Sequence, residues 1–168
     1  DVCPQRFAMP AAPSVAAAAE GRCVDLAAIR SAFERVQSRH ECVVVEGAGG
    51  LLAPLTEGVS MAELAATLAL PLLVVSRARL GTINHTRLTL EAASARGLAV
   101  AGVVISHAER ELSHADARNL GALRNELGEL WLGELPHLDP GEAPPAGSID
   151  LPRLLWLLGR AGYGGPAA

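Results

Sequence analysis

Three short apolar runs, "CVVV" at 42–45, "PLLVVS" at 71–76 and "VAGVVIS" at 100–106, are continuous and rich in β-branched residues. Such runs read as strands covered on both faces, because a half-exposed strand would alternate with polar residues. Stretches of helical spacing lie between them. Asp25 stands as an N-cap, and Leu26, Ile29, Phe33 and Val36 recur at that spacing to about Ser38. Ser60 caps a helix that buries Met61, Leu64, Ala65 and Leu68. Asn84 to Arg96 reads as the next helix, with Thr82 or Asn84 as its cap and Gly97 closing it. Helices are expected again over 114–127 and 149–158, with "LWLGELP" as a short strand between them. At the start, three prolines imply an extended segment, followed by an alanine-rich helix from Ser14 to Glu20. Alternation of strand and helix implies an α/β fold, a parallel sheet with helices on both faces.

With 168 residues the chain is long enough for one domain with a sizeable core. A net charge of -4 argues against a nucleic-acid platform, which would present a basic face. The longest apolar stretch, 64–75, is split by Pro71, so no membrane span is expected. Cys3, Cys23 and Cys42 are odd in number and lack metal-ligand spacing, and read as reduced thiols of a cytoplasmic protein. All 14 basic residues are arginines, so the chain contains no lysine. Trp131 and Trp156 read as core or interface packing residues, Tyr163 in the glycine-rich tail as incidental, and "LDPGEAPPAGS" as a surface loop.

In an open parallel sheet, ligands bind beyond the carboxyl ends of the strands. Glu46 follows the run Cys42–Val45 and is followed by "GAGG". A carboxylate there suits a hard cation shared with phosphates, and Gly47, Gly49 and Gly50 let backbone amides approach an anion. Taken alone, the same residues also describe an ordinary strand ending in a glycine turn. The second candidate is "RARLGTINHTRLTL". A helix beginning near Thr82 exposes amides and a positive dipole end to a carboxylate or phosphate, with Arg77 and Arg79 nearby. Taken alone, it is equally a capped helix with solvated arginines, and His85 reads as a packing or capping residue.

"VVVEGAGGLLAPL" followed by "LPLLVVSRARLGTINHTRLTLEAASARGLAVAGVV" resembles the ATP-dependent dethiobiotin synthetase family. The likeness continues through "PQRFAMPAAPSVAAAAEGR", "WLGELPHL" and "IDLPRLL", and covers nearly the whole chain. It implies a P-loop NTPase-like fold in which residues 1–168 form a single, incomplete synthetase-like domain. It also implies closure of the ureido ring of dethiobiotin from 7,8-diaminopelargonate, carbon dioxide or bicarbonate, ATP and magnesium, in a cytoplasmic homodimer. On this resemblance Glu46 is the catalytic magnesium ligand near the phosphates. Gly47, Ala48 and Gly49 line the nucleotide, and Gly50 the substrate. Thr82, Ile83 and Asn84 receive the substrate's carboxylate tail across a dimer interface. Ser106, His107, Pro136, His137 and Leu138 pass the adenine, and Glu142 lies near the ribose.

Two departures matter. Ser106 and His107 stand where the family places an asparagine, usually followed by an acid. A serine hydroxyl lacks the paired donor and acceptor of an amide, which weakens adenine reading. The family's glycine-rich phosphate loop with its lysine has no counterpart in these residues, which implies that they are the C-terminal part of a synthetase and inactive alone. A non-catalytic relative that binds a ligand or partner, or a neighbouring amidotransferase or ligase family, are the other readings. Loss of the first strand would leave an apolar sheet edge and a poorly soluble or oligomeric chain.

Overall fold

The computed structural model describes residues 2–160, so Tyr163 lies outside the described residues. The chain forms two compact units, one ending at Ala69 and the other starting at Leu70.

In the first unit, α1 (Pro13–Ala19) and α2 (Leu26–Gln37) follow an extended start. Gln5 ties that start to the second helix: its side chain accepts from the Asp25 N–H and donates to the Asp25 carbonyl, each at 2.8 Å. The Asp25 carboxylate accepts from the Ala28 N–H, so the expected cap is present. A hairpin of β1 (Pro54–Thr56) and β2 (Val59–Ser60) turns at Glu57-Gly58, and sequence reading did not anticipate it. The helix α3 (Met61–Thr67) opens with a capping box, in which Glu63 accepts from the Ser60 N–H at 2.7 Å while the Ser60 hydroxyl accepts from the Ala62 N–H. Ala16, Ala17, Leu55, Ala62 and Leu64 are buried in this unit.

The expected strand over Cys42–Val45 does not form. Residues 42–47 pair with no strand among the described residues, and Val44 is 89% exposed. A strand exists only through hydrogen bonds to a neighbour, so β-branched composition alone cannot make one.

The second unit holds a parallel sheet of β3 (Leu72–Arg77), β4 (Val100–Ser106) and β5 (Trp131–Leu135), in that spatial order. These are the expected strands. The helix α4 (Thr82–Ser94) crosses from β3 to β4, and α5 (His114–Leu127) from β4 to β5. Val74 of β3, Val103 and Ile105 of β4 and Leu120, Leu123 and Leu127 of α5 form one core, with Ile83 and Leu90 of α4 against it. Each fully buried aliphatic side chain there contributes about 1.5–3 kcal/mol by leaving water. A buried hydrogen bond of 2.8 Å between the Ser76 and Thr86 hydroxyls pins α4 to β3.

Val104 and Leu132 alternate to the other face and are also buried, and α6 (Leu151–Arg160) contacts β4 and β5. Leu73 and Val75 on β3 stay exposed, at 42% and 60%. Trp131 packs against the core under the Arg124 guanidinium, whereas Trp156 on α6 is more than half exposed and is not a core residue. No helix among the described residues is long and apolar enough to cross a membrane.

Candidate functional site

A recess in the second unit lies where β3 hands over to α4. The Arg79 carbonyl accepts from the Thr82 N–H at 3.1 Å, and the Gly81 carbonyl accepts from the His85 N–H at 3.0 Å. Gly81 itself occupies the N-cap position at φ 94, a left-handed conformation that disfavours a Cβ. The expectation that Thr82 or Asn84 caps this helix is therefore corrected. Thr82 is its first residue, and no side chain caps it. With the Thr82 N–H already given to Arg79, the next first-turn amides, of Ile83 and Asn84, are the ones left for another acceptor.

A cavity of about 280 Å³ opens there, bounded by Gly81, Thr82, Ile83 and Asn84, by Arg87 one turn further, and by Asn119 of α5. Thr82 is only 4% exposed, and its hydroxyl has no hydrogen-bond partner among the described residues. Leaving such a group unsatisfied costs about 1–3 kcal/mol. Arg87 is fixed by Glu126 of α5, with Nε–Oε1 at 2.6 Å and Nη2–Oε2 at 2.8 Å. That pair holds the Glu126 carboxyl below its ordinary value and the Arg87 guanidinium above its own. The structure thus brings the three predicted residues Thr82, Ile83 and Asn84 together with two that sequence reading missed. Arg87 had a signal in the sequence, since i+3 and i+4 spacing from Asn84 and Ile83 puts it on their flank. Asn119 had none, because its approach depends on how α5 packs.

A second cluster forms at the carboxyl ends of β4 and β5. The His107 N–H donates to the Leu135 carbonyl at 3.0 Å. The His107 ring meets the Glu134 carboxylate through Nε2 at 2.7 Å. Nδ1 of His137 lies 2.8 Å from the Ala108 carbonyl, and Arg110 pairs with Asp139. Ser106 and His107 are therefore brought beside Pro136, His137 and Leu138, as the strand order requires. Glu142 accepts from the Asp139 N–H at 2.8 Å and closes its own loop.

Glu46 and the glycines belong to the first unit. Glu46 is exposed, and no hydrogen bond or ion pair engages its carboxylate among the described residues. Gly49 turns at φ 83, where a Cβ would press on that of Ala53 at 3.2 Å, and the Gly50 carbonyl accepts from the Ala53 N–H. The loop Gly47–Gly50 is exposed throughout, so its backbone is open to a ligand. No group of three or more His, Cys, Asp or Glu suited to a metal exists among the described residues. A single free carboxylate does not build a closed cage, but it fits a magnesium ion that arrives with phosphates and keeps most of its other ligands. The cysteines Cys3, Cys23 and Cys42 are free and exposed.

Comparison with known proteins bears on these sites. A family model described as AAA domain matches residues 1–144. A protein of Anaeromyxobacter dehalogenans (strain 2CP-C) named ATP-dependent dethiobiotin synthetase BioD is 57% identical over 105 residues, which is 62% of this chain and 47% of the relative. Its namesake in Anaeromyxobacter sp. (strain Fw109-5) is 54% identical over 137 residues, 82% of this chain and 61% of the relative. In Bacillus subtilis (strain 168) the protein of that name is 38% identical over 138 residues, covering 82% of this chain and 60% of the relative. The chain thus spans about half to three-fifths of the length of these curated relatives.

Proposed function

The chain belongs to the AAA domain family, and on that premise we propose that it is part of an ATP-dependent dethiobiotin synthetase acting in biotin biosynthesis. Residues 1–168 form one incomplete synthetase-like domain in this reading, within a soluble cytoplasmic homodimer. The reaction joins carbon dioxide to one amine of 7,8-diaminopelargonate as a carbamate. ATP phosphorylates that carbamate and leaves as ADP. The second amine then attacks the carbamoyl carbon, expels phosphate and closes the ureido ring.

The start of α4 carries this reading. Ile83 and Asn84 offer uncapped amides, next to Thr82 at the head of the helix, to the substrate's carboxylate, which fixes the distance from that end to the reacting amines. Glu46 is the carboxylate that holds magnesium beside the phosphates; when bound, the ion neutralises charge on the phosphoryl oxygens. Gly47, Ala48 and Gly49 give the nucleotide a backbone surface, and Gly50 gives one to the substrate. Ser106, His107, Pro136, His137 and Leu138 flank the base.

These 168 residues contain no lysine to grip the transferred phosphoryl group. Turnover therefore belongs to a complete chain that carries a phosphate loop, and the 168 residues alone are inactive. The same absence favours one second reading, a non-catalytic relative that binds a ligand or a partner. Growth separates the two. A strain lacking its own dethiobiotin synthetase, given the full-length gene, grows without biotin or dethiobiotin if the first reading holds. Failure to grow while the protein is expressed in soluble form favours the second.

A further inference from the structure

The loop that carries Glu46 takes its position from the start of α3 rather than from a strand. Residues 42–47 pair with no strand among the described residues. The contacts that hold the loop come from further along the chain. The Ala53 carbonyl accepts from the Met61 N–H at 3.0 Å, and the Gly50 carbonyl accepts from the Ala53 N–H at 2.9 Å. The Ser60 hydroxyl lies 3.4 Å from the Leu51 carbonyl. The Met61 side chain then reaches back to the other end of the loop. Its Cε lies 3.1 Å from the point where a Cβ on residue 47 would stand. Among the described residues, no other heavy atom beyond the chain neighbours comes within 4 Å of that point. One thioether methyl therefore supports that side of Gly47, the residue next to Glu46.

We propose that Met61 is a positioning residue, whose methyl, seated on Gly47, sets where the Glu46 carboxylate stands. The inference rests on the synthetase reading for the role of Glu46 and adds one residue to it. A carboxylate on an exposed loop loses backbone freedom when it takes a cation, and a loop already pinned on one side loses less. Methionine suits the task, because its unbranched chain carries an apolar end into a gap of irregular shape. Glycine suits position 47, because a side chain there would press on that methyl. The Met61 side chain offers a hard cation no oxygen, so its effect reaches the cation only through the loop.

Two measurements on the full-length protein test this: hydrogen exchange at the Ala53 amide, and calorimetric titration with a non-hydrolysable ATP analogue in magnesium. Met61→Ala speeds exchange at Ala53 and weakens binding of the analogue about tenfold, the usual scale for a residue that orients a metal ligand. Exchange in β3 and β4 stays as in wild type. Met61→Leu, which keeps most of the apolar reach, stays within about twofold of wild type in both measurements. Met61→Val keeps bulk at Cβ without the reaching methyl, and takes the place of Met61→Ala if that variant fails to fold. In steady-state assays Met61→Ala raises KM for magnesium-ATP and leaves KM for 7,8-diaminopelargonate unchanged. Unchanged exchange at Ala53 and unchanged analogue affinity in a folded variant overturn the proposal. Faster exchange throughout the first unit overturns it too, since Met61 then only holds the fold. Dethiobiotin formation with wild-type KM for magnesium-ATP in Met61→Ala sinks the role of Met61 but leaves the synthetase reading standing. Faster exchange at Ala53 with weaker analogue binding, in a protein that makes no dethiobiotin, keeps that role and sinks the synthetase reading.

Discussion

Arg87 and Glu126 face each other across α4 and α5 through two parallel hydrogen bonds of 2.6 and 2.8 Å. Arg87 also lines the recess at the first turn of α4, so the contact that joins the two helices lies beside the candidate site.

Its pH dependence follows from the direction of the shift. The hydrogen bond from Arg87 lowers the Glu126 carboxyl below its ordinary value of 4.5. The contribution is therefore complete above that value and is lost as pH falls through the lower folded one. Thermal unfolding of wild type and Glu126→Gln shows a constant gap in Tm from neutral pH down to that region, and a gap that closes below it. The gap is small, because both groups are exposed. Glu20, also held low by the Ala8 N–H and then by Arg22, titrates alike in both proteins and cancels from the difference.

The sheet offers a second test. Among the described residues, β3 pairs only with β4, and Leu73 and Val75 on it are exposed. An unpaired apolar strand is a template for association. The 168-residue chain on its own is expected to elute as oligomers or aggregate in size exclusion with light scattering, and Val75→Lys shifts it toward monomer. A monodisperse, cooperatively unfolding wild-type monomer contradicts this.

Leu123 is fully buried between α5 and the sheet. Leu123→Ala removes contacts that nothing nearby can replace and costs about 2–5 kcal/mol in chemical denaturation. Leu155→Ala, on the exposed side of α6, shifts the midpoint far less.

The base site makes a functional prediction. His107 is engaged by Glu134, and its N–H by Leu135, so in the proposed synthetase reading the Ser106 hydroxyl is the group left to meet the base. Ser106→Asn in the full-length protein is expected to lower KM for ATP about fivefold, the worth of one net hydrogen bond. Unchanged discrimination between ATP and GTP in that variant removes Ser106 from the base site.

Much of this architecture was legible in local sequence. The strands 72–77 and 100–106 and the caps Asp25 and Ser60 show in residue type and spacing, because caps and apolar periodicity act within a few residues. Cys42–Val45 has the same apolar, β-branched character as those strands and is not one, since pairing depends on a partner far away in the chain. The start of α4 was legible in position but not in its capping, because the left-handed Gly81 stands where a capping side chain was expected. Asn119 and Glu134 enter their clusters only through packing of whole elements, which no local pattern records.

The most direct test of the synthetase account is incorporation of isotopically labelled bicarbonate by the full-length protein supplied with 7,8-diaminopelargonate, ATP and magnesium. Labelled dethiobiotin, formed in step with ADP and reduced about 100-fold by Glu46→Gln, is the predicted result. ATP hydrolysis without labelled product, or full activity in Glu46→Gln, contradicts it.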